Sequence, residues 1–225
     1  MSTSGTYTFS PRVAEILDEA WERCGLDPAT LDVRHIVSAK RSLNLLLTSE
    51  LSADQINLWK VASYTPTVPS QGANSLSLPS GAIDVLEAYT RDGDGNDTPM
   101  LPISRSEWAE IPDKDQQGRP DRFWVDRTTG AKTLYFWQAQ DAQAWTIILN
   151  VLYGIQDAGD LNNTADLPTL WQDVVCAGLA KRMAVKFAPD RAAMLEAQFM
   201  QTHRLAKESN HERAPLIIEP CYGRR

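Results

Sequence analysis

The chain has 225 residues, 43% of them hydrophobic, which suffices for one or two ordinary domains with a real core. Its net charge of −7 argues against a protein that grips nucleic-acid phosphates through a large basic patch. The acidity is uneven, −7 over residues 61–165 against −2 over 1–60, 0 over 166–202 and +2 over 203–225.

Residues 11–24 read as a helix. Val13, Ile16, Leu17, Ala20, Trp21 and Cys24 follow helical spacing without a miss, Ser10 and Pro11 suit the start, and Gly25 suits the end. Asp27-Pro28 predicts the start of a second helix running through Val33, Ile36, Val37, Leu43 and Leu47 to about Ser49. The short link between them predicts an antiparallel helical hairpin.

Composition changes near Asn57. From there to Ile155 the chain is rich in Thr, Pro, Gly, Trp and Tyr, with turn clusters such as VPSQGANS and RDGDGNDTP. Strands are expected over 57–66, 74–78, 82–90, 98–102, 122–126, 132–137 and 143–153, the pattern of a β-sandwich or barrel. Ser104 through Trp108 reads as a short helical turn, with Ser104 as cap and Glu107 three residues on.

The stretch RFWVDRTTGAKTLYFW, residues 122–137, is the densest in aromatics. Phe123 and Val125 alternate with Arg122, Trp124 and Asp126, an inward and an outward set. The second strand is apolar on both faces, with Leu134 and Phe136 on one and Tyr135 and Trp137 on the other. An antiparallel sheet in a domain of this size usually buries one face. Three covers for the other are open: helices of the same chain, a neighbouring subunit, or a sugar or base stacked on Trp124 and Trp137.

Helical periodicity returns at Trp171, Val175, Leu179, Met183 and Phe187, and Leu170, Val174 and Cys176 widen the stripe towards all-round burial. Gly178 inside it points to close helix packing, since Gly there costs about 1 kcal/mol relative to Ala. Pro189-Asp190 breaks the helix, and Arg191–Ser209 resumes it with Leu195, Phe199 and Leu205 expected on one side. The organisation expected is therefore α+β: an antiparallel helical bundle from residues 1–56 and 166–209, an inserted antiparallel β-sandwich or barrel over 57–165, and an extended tail over 210–225.

Little in the chain points to chemistry. Asp92-Gly93-Asp94-Gly95-Asn96-Asp97 has Asp97 where a calcium loop of the EF-hand type needs Gly and Ile103 where it needs Glu, so a polar hairpin tip is expected. His35, His203 and His211 show no metal spacing with one another or with Cys24, Cys176 and Cys221. There is no GxSxG elbow or phosphate loop, and acid pairs such as Asp113/Asp115 arise by chance among 29 acidic residues. No catalysis, metal or cofactor is expected. The odd, scattered cysteines, the polar start MSTSGTYTFSP and the lack of an apolar run near 18 residues lead to the expectation of a soluble product of a reducing cytoplasm.

The order of features carries more than any one of them. Leu78-Pro79 precedes Ile83-Asp84-Val85, and Leu101-Pro102-Ile103-Ser104 precedes Glu107-Trp108. Gly118-Arg119-Pro120 leads to Phe123-Trp124-Val125, and Leu134-Tyr135-Phe136-Trp137 to Asp141. Trp145 through Tyr153 and Asp166-Leu167-Pro168 with Trp171 and Leu179-Ala180 complete the set. From about Ala14 to Phe187 the chain resembles the head-to-tail adaptor (connector) proteins of tailed bacteriophages, a group that includes the tail accessory factor of short-tailed Salmonella phages and related tubular tail proteins. It departs from them at Gln138-Ala139-Gln140, where relatives often carry prolines, and the C-terminal segment is not matched.

The resemblance implies a structural virion protein with no turnover: a ring, typically of twelve subunits, beneath the portal protein and above a downstream tail protein, with packaged DNA passing through without sequence-specific binding. In such a ring Trp124, Tyr135 and Trp137 are expected at the subunit interface. The basic tail, with its apolar Leu216-Ile217-Ile218 between Pro215 and Pro220, is expected to grip the portal through Arg213, Leu216, Ile217, Ile218, Tyr222, Arg224 and Arg225, the alternative being that it folds back on its own helices. A carbohydrate- or host-surface-binding β module and a hydrolase are the rival readings. Trp124 and Trp137 exposed in the assembled state, or a pocket of converging acids, would favour one or the other.

Overall fold

The computed structural model describes residues 5–6, 9–52, 57–67, 69–128 and 130–210. Helix α1 spans Val13–Cys24 and buries all six residues of its predicted stripe. Its start is held differently from expectation. Arg12, not Ser10, is the N-cap residue, and the first two helical N–H groups donate to the carbonyls of Asn163 and Leu161 at 2.8 and 2.9 Å. A distant loop satisfies donors that a local cap would otherwise serve. Gly25 closes the helix at φ 76°, as the left-handed C-cap requires.

Asp27-Pro28 opens only a 3-10 turn, Pro28–Thr30, in which the Asp27 carboxylate accepts the Ala29 N–H. Helix α2 begins after Asp32 and runs Val33–Leu45, continuing as a π-helical segment, Leu46–Leu51. It touches α1 only lightly. Both pack instead on α4, Thr169–Phe187, the centre of the helical layer. Leu170, half exposed at its first turn, and Val185, exposed near its end, are exceptions to the all-round burial expected of α4. A Cβ on Gly178 would stand 2.9 Å from the Phe199 ring and 3.0 Å from Leu46, the close packing its position suggested.

After the turn Pro189–Arg191, helix α5 spans Ala192–Ser209 and packs on α4 through Leu195, Phe199 and Ala206. Leu205 is half exposed, correcting the expected grouping. Six residues beyond Phe199 it stands well round the helix, whereas Ala206, seven beyond, returns to the buried face.

Nine strands are present among the described residues: β1 Val61–Tyr64, β2 Ser75–Ser77, β3 Ala82–Arg91, β4 Asp97–Pro102, β5 Gln117–Gly118, β6 Arg122–Asp126, β7 Thr133–Trp137, β8 Ala139–Gln140 and β9 Thr146–Tyr153. Helix α3, Arg105–Glu110, lies between β4 and β5. Seven strands form one sheet in the order β1-β9-β3-β4-β6-β7-β2, and β5 and β8 pair separately. All neighbours in the large sheet are antiparallel except β4 and β6, which α3 and its following loop join as a parallel crossover.

The sheet curls into a half-barrel, the barrel rather than the sandwich alternative. Val85, Ala88, Ile147, Leu149 and Val151 from one half share a core with Phe123, Leu134 and Phe136 from the other, so one face closes over itself. Two register shifts in β3 supply the bend. The helices enclose a separate core around Trp21, Leu43, Leu46, Val175, Leu179 and Met183. Polar ties connect the layers: Lys60 pairs with Asp166, and Asn44 Oδ1 accepts the Ala158 N–H at 2.8 Å.

Asp92 through Asn96 is the β3–β4 hairpin tip, and Asp97 opens β4 opposite Arg91. The Asp92 carboxylate accepts the side-chain and main-chain N–H groups of Asn96 and the N–H of Asp94, and these bonds, the Asn96 side chain foremost, hold its pKa below the ordinary value.

Candidate assembly interface

The aromatic face is built from the β6–β7 hairpin upward. Trp124 and Tyr135 are register partners, so their rings stand side by side on the outer face, centroids 5.3 Å apart and nearly parallel. Beneath them Phe123, Leu134 and Phe136 point into the barrel core.

The same chain provides a cover. Ser104 caps α3, its Oγ accepting the Glu107 N–H at 3.2 Å while the Glu107 carboxylate accepts the Ser104 N–H at 2.6 Å. The reciprocal box fixes the first turn of a six-residue helix, and that bond to the Ser104 N–H lowers the Glu107 pKa. Trp108, the only buried residue of α3, is thereby laid over the pair, 6.3 Å from Trp124 and 5.6 Å from Tyr135. Trp124, Tyr135 and Trp137 remain half-buried.

Trp137 is engaged on both sides. Its indole N–H donates to the Asp113 carbonyl at 2.9 Å, and the Arg122 guanidinium, on the residue paired with it across the strands, lies 5.2 Å from its ring centre. The loop after α3 is fixed by its own polar groups: Lys114 Nζ donates to the Ile111 carbonyl, Asp113 accepts the Asp115 N–H, and Asp115 accepts from Asn74. The acids Asp113 and Asp115 thus shape a turn. Gln140, fully buried, braces the next one, its amide bonding both the N–H and the carbonyl of Trp145.

A groove of 470 Å³ runs beside the plate between Asp84, Ser104, Arg105, Trp124 and Arg127. Its acids are already engaged: Asp84 pairs with Arg127 and accepts the Val85 N–H, and Asp126 accepts the Thr128 N–H. Among the described residues no group of three or more His, Cys, Asp or Glu is placed to hold a metal ion, and no helix is long and apolar enough to cross a membrane. His35 sits against Trp21 and Phe187, its Nδ1 accepting the Asp32 N–H, and His203 stacks on Phe199.

Cys24 and Cys176 are buried free thiols, and burial pushes the Cys176 pKa up to about 11. Cys221 and the expected portal-gripping residues Arg213, Leu216, Ile217, Ile218, Tyr222, Arg224 and Arg225 lie outside the described residues.

A helical layer joined to a curled half-barrel whose outer face carries a stacked aromatic plate defines an α+β scaffold. The chain belongs to the SU10 adaptor protein family, whose profile matches residues 11–218, beyond the span at which the resemblance was legible. No curated protein matches the chain. Two solved structures similar to it are the neck of an empty gene transfer agent particle computed with C6 symmetry and the virion of a native gene transfer agent particle. Each is 14% identical with a TM-score of 0.32, the first covering 82% of this chain and 83% of its own, the second 84% of both.

Proposed function

We propose that this chain is a head-to-tail adaptor of a virion neck, a mechanical part that performs no turnover. Twelve copies form a ring beneath the portal protein, join it to a downstream tail protein and surround the passing DNA. The observation that carries this reading is membership of the SU10 adaptor family over residues 11–218. Charge supports it: twelve copies at −7 each amount to on the order of −80, which repels phosphate and keeps a channel from gripping DNA. We take residues 1–56 with 166–209 as one layer, 57–165 as the other and 210–225 as the portal-gripping tail.

The half-buried Trp124, Tyr135 and Trp137 meet a neighbouring subunit through their ring edges, because Trp108 already lies against Trp124 and Tyr135. That same cover speaks against a sugar platform, which needs an open ring face, and the engaged acids of the adjoining groove speak against a hydrolase. The test is co-expression with the portal protein of the same virion. The full chain co-sediments with portal rings, and a variant lacking residues 210–225 keeps its circular dichroism and melting temperature but loses attachment. Unaltered binding by the truncated chain would overturn the role of the tail, and failure of the full chain to bind would overturn the adaptor reading.

A further inference from the structure

Helix α2 presents a second apolar face that its own core does not use. Its inner side is complete, with Ala39, Ser42 and Leu43 buried against the helical core. Val33, Val37, Arg41 and Leu45, spaced four apart and so aligned on the opposite side, leave their aliphatics 70, 52 and 51% exposed. Val37, Lys40, Arg41, Asn44, Leu45 and Thr48 line a groove of 520 Å³ along this stripe. Arg34 and Arg41 form no ion pair among the described residues, and Lys40 has only a distant one, 3.8 Å from the exposed Asp160.

Charge identifies what covers it. From Val33 to Leu45 the helix carries three cations and no acid, in a chain of net charge −7. The outer side of α1 is the complement, with Glu15, Asp18, Glu19 and Glu22 on neighbouring turns. Glu15 and Glu19 pair with Arg12 and Arg23 within the chain, whereas Asp18 and Glu22 are exposed and form no ion pair among the described residues. A basic, apolar face on one helix and an acidic face on another make a head-to-tail contact between copies, which closes into a ring.

We propose that the α2 stripe of one copy receives the α1 acidic face of the next, with Arg34 and Arg41 meeting Asp18 and Glu22 while Val33, Val37 and Leu45 exclude water around them. The inference rests on the ring reading and assigns it a helical-layer interface. Opposite charges set register and steer encounter, and surrounding aliphatics keep the pairs from being screened.

The test is charge reversal with complementation, read by native mass spectrometry over a concentration series of the full chain. Arg34→Glu/Arg41→Glu and Asp18→Lys/Glu22→Lys each raise the midpoint of assembly about tenfold or more relative to wild type, with unchanged circular dichroism. An equimolar mixture restores assembly as rings of even copy number, because each reversed face then finds its complement only on the other variant. If wild type forms rings and the two variants assemble as it does, or the mixture fails to rescue them, the inference is overturned and the ring reading stands. If wild type forms no ring at any concentration, both are overturned.

Discussion

Replacing Trp108 by Ala removes the only buried side chain of α3. The indole is 8% exposed and contacts both Trp124 and Tyr135, so the change deletes a buried aromatic body and two ring pairs. Truncating a buried Trp to Ala costs about 3–5 kcal/mol, and a six-residue surface helix can settle into part of the space, which selects the low end of about 3 kcal/mol. Against a total stability on the order of 5–15 kcal/mol that loss is large. With a urea slope of about 2–3 kcal/mol/M it lowers the unfolding midpoint by roughly 1–1.5 M. Hydrogen exchange supplies the local readout: amides of 105–110 lose protection in Trp108→Ala while those of β9 keep it under native conditions. Trp108→Phe retains most of both. A stability loss below about 1 kcal/mol with unchanged exchange in α3 would refute the claim that Trp108 is the cover of the plate.

Glu50 gives a pH prediction with a definite sign. Burial alone would raise its pKa, but hydrogen bonds from Lys181 and Arg182 outweigh that and hold it below its ordinary value of 4.5. A depressed folded-state pKa contributes stability above the unfolded value that is lost as pH falls through the folded one, so the melting temperature declines in acid below about pH 4.5. Glu50→Gln lowers stability at neutral pH and flattens that part of the acid decline; an unchanged profile would contradict the pairing. Cys24 and Cys176, buried with raised pKa values, stay unmodified by iodoacetamide at pH 8 in the folded protein and react only on unfolding, as peptide mass spectrometry would show.

Period and punctuation made much of the fold legible. The α1 stripe, the strand alternation at Phe123, Leu134 and Phe136, and the capping box at Ser104 each have a local physical cause that structure and sequence share. What escaped was set by distant partners. The α1 N-terminus is served by carbonyls of residues 161 and 163, which no local motif announces. Asp27-Pro28 looked like a helix start because the same cap geometry opens a single 3-10 turn. At the aromatic plate, a second strand apolar on both faces raised the question of a cover. Trp108 as the answer was hidden because proximity across the β4–β6 crossover depends on topology. Val33 and Val37 read simply as core periodicity alongside Ile36, Leu43 and Leu47, since pattern alone cannot distinguish a helix buried on one side from one apolar on two.

The proposed ring of many copies at the portal is open to direct observation. Its most direct measurement is a cryo-electron microscopy reconstruction of the neck of the intact particle. The prediction is a closed ring of twelve copies directly beneath the portal, helices of neighbouring copies in contact and a central channel wide enough for duplex DNA. A neck in which this chain is absent, or present as isolated copies without a closed ring, would contradict it.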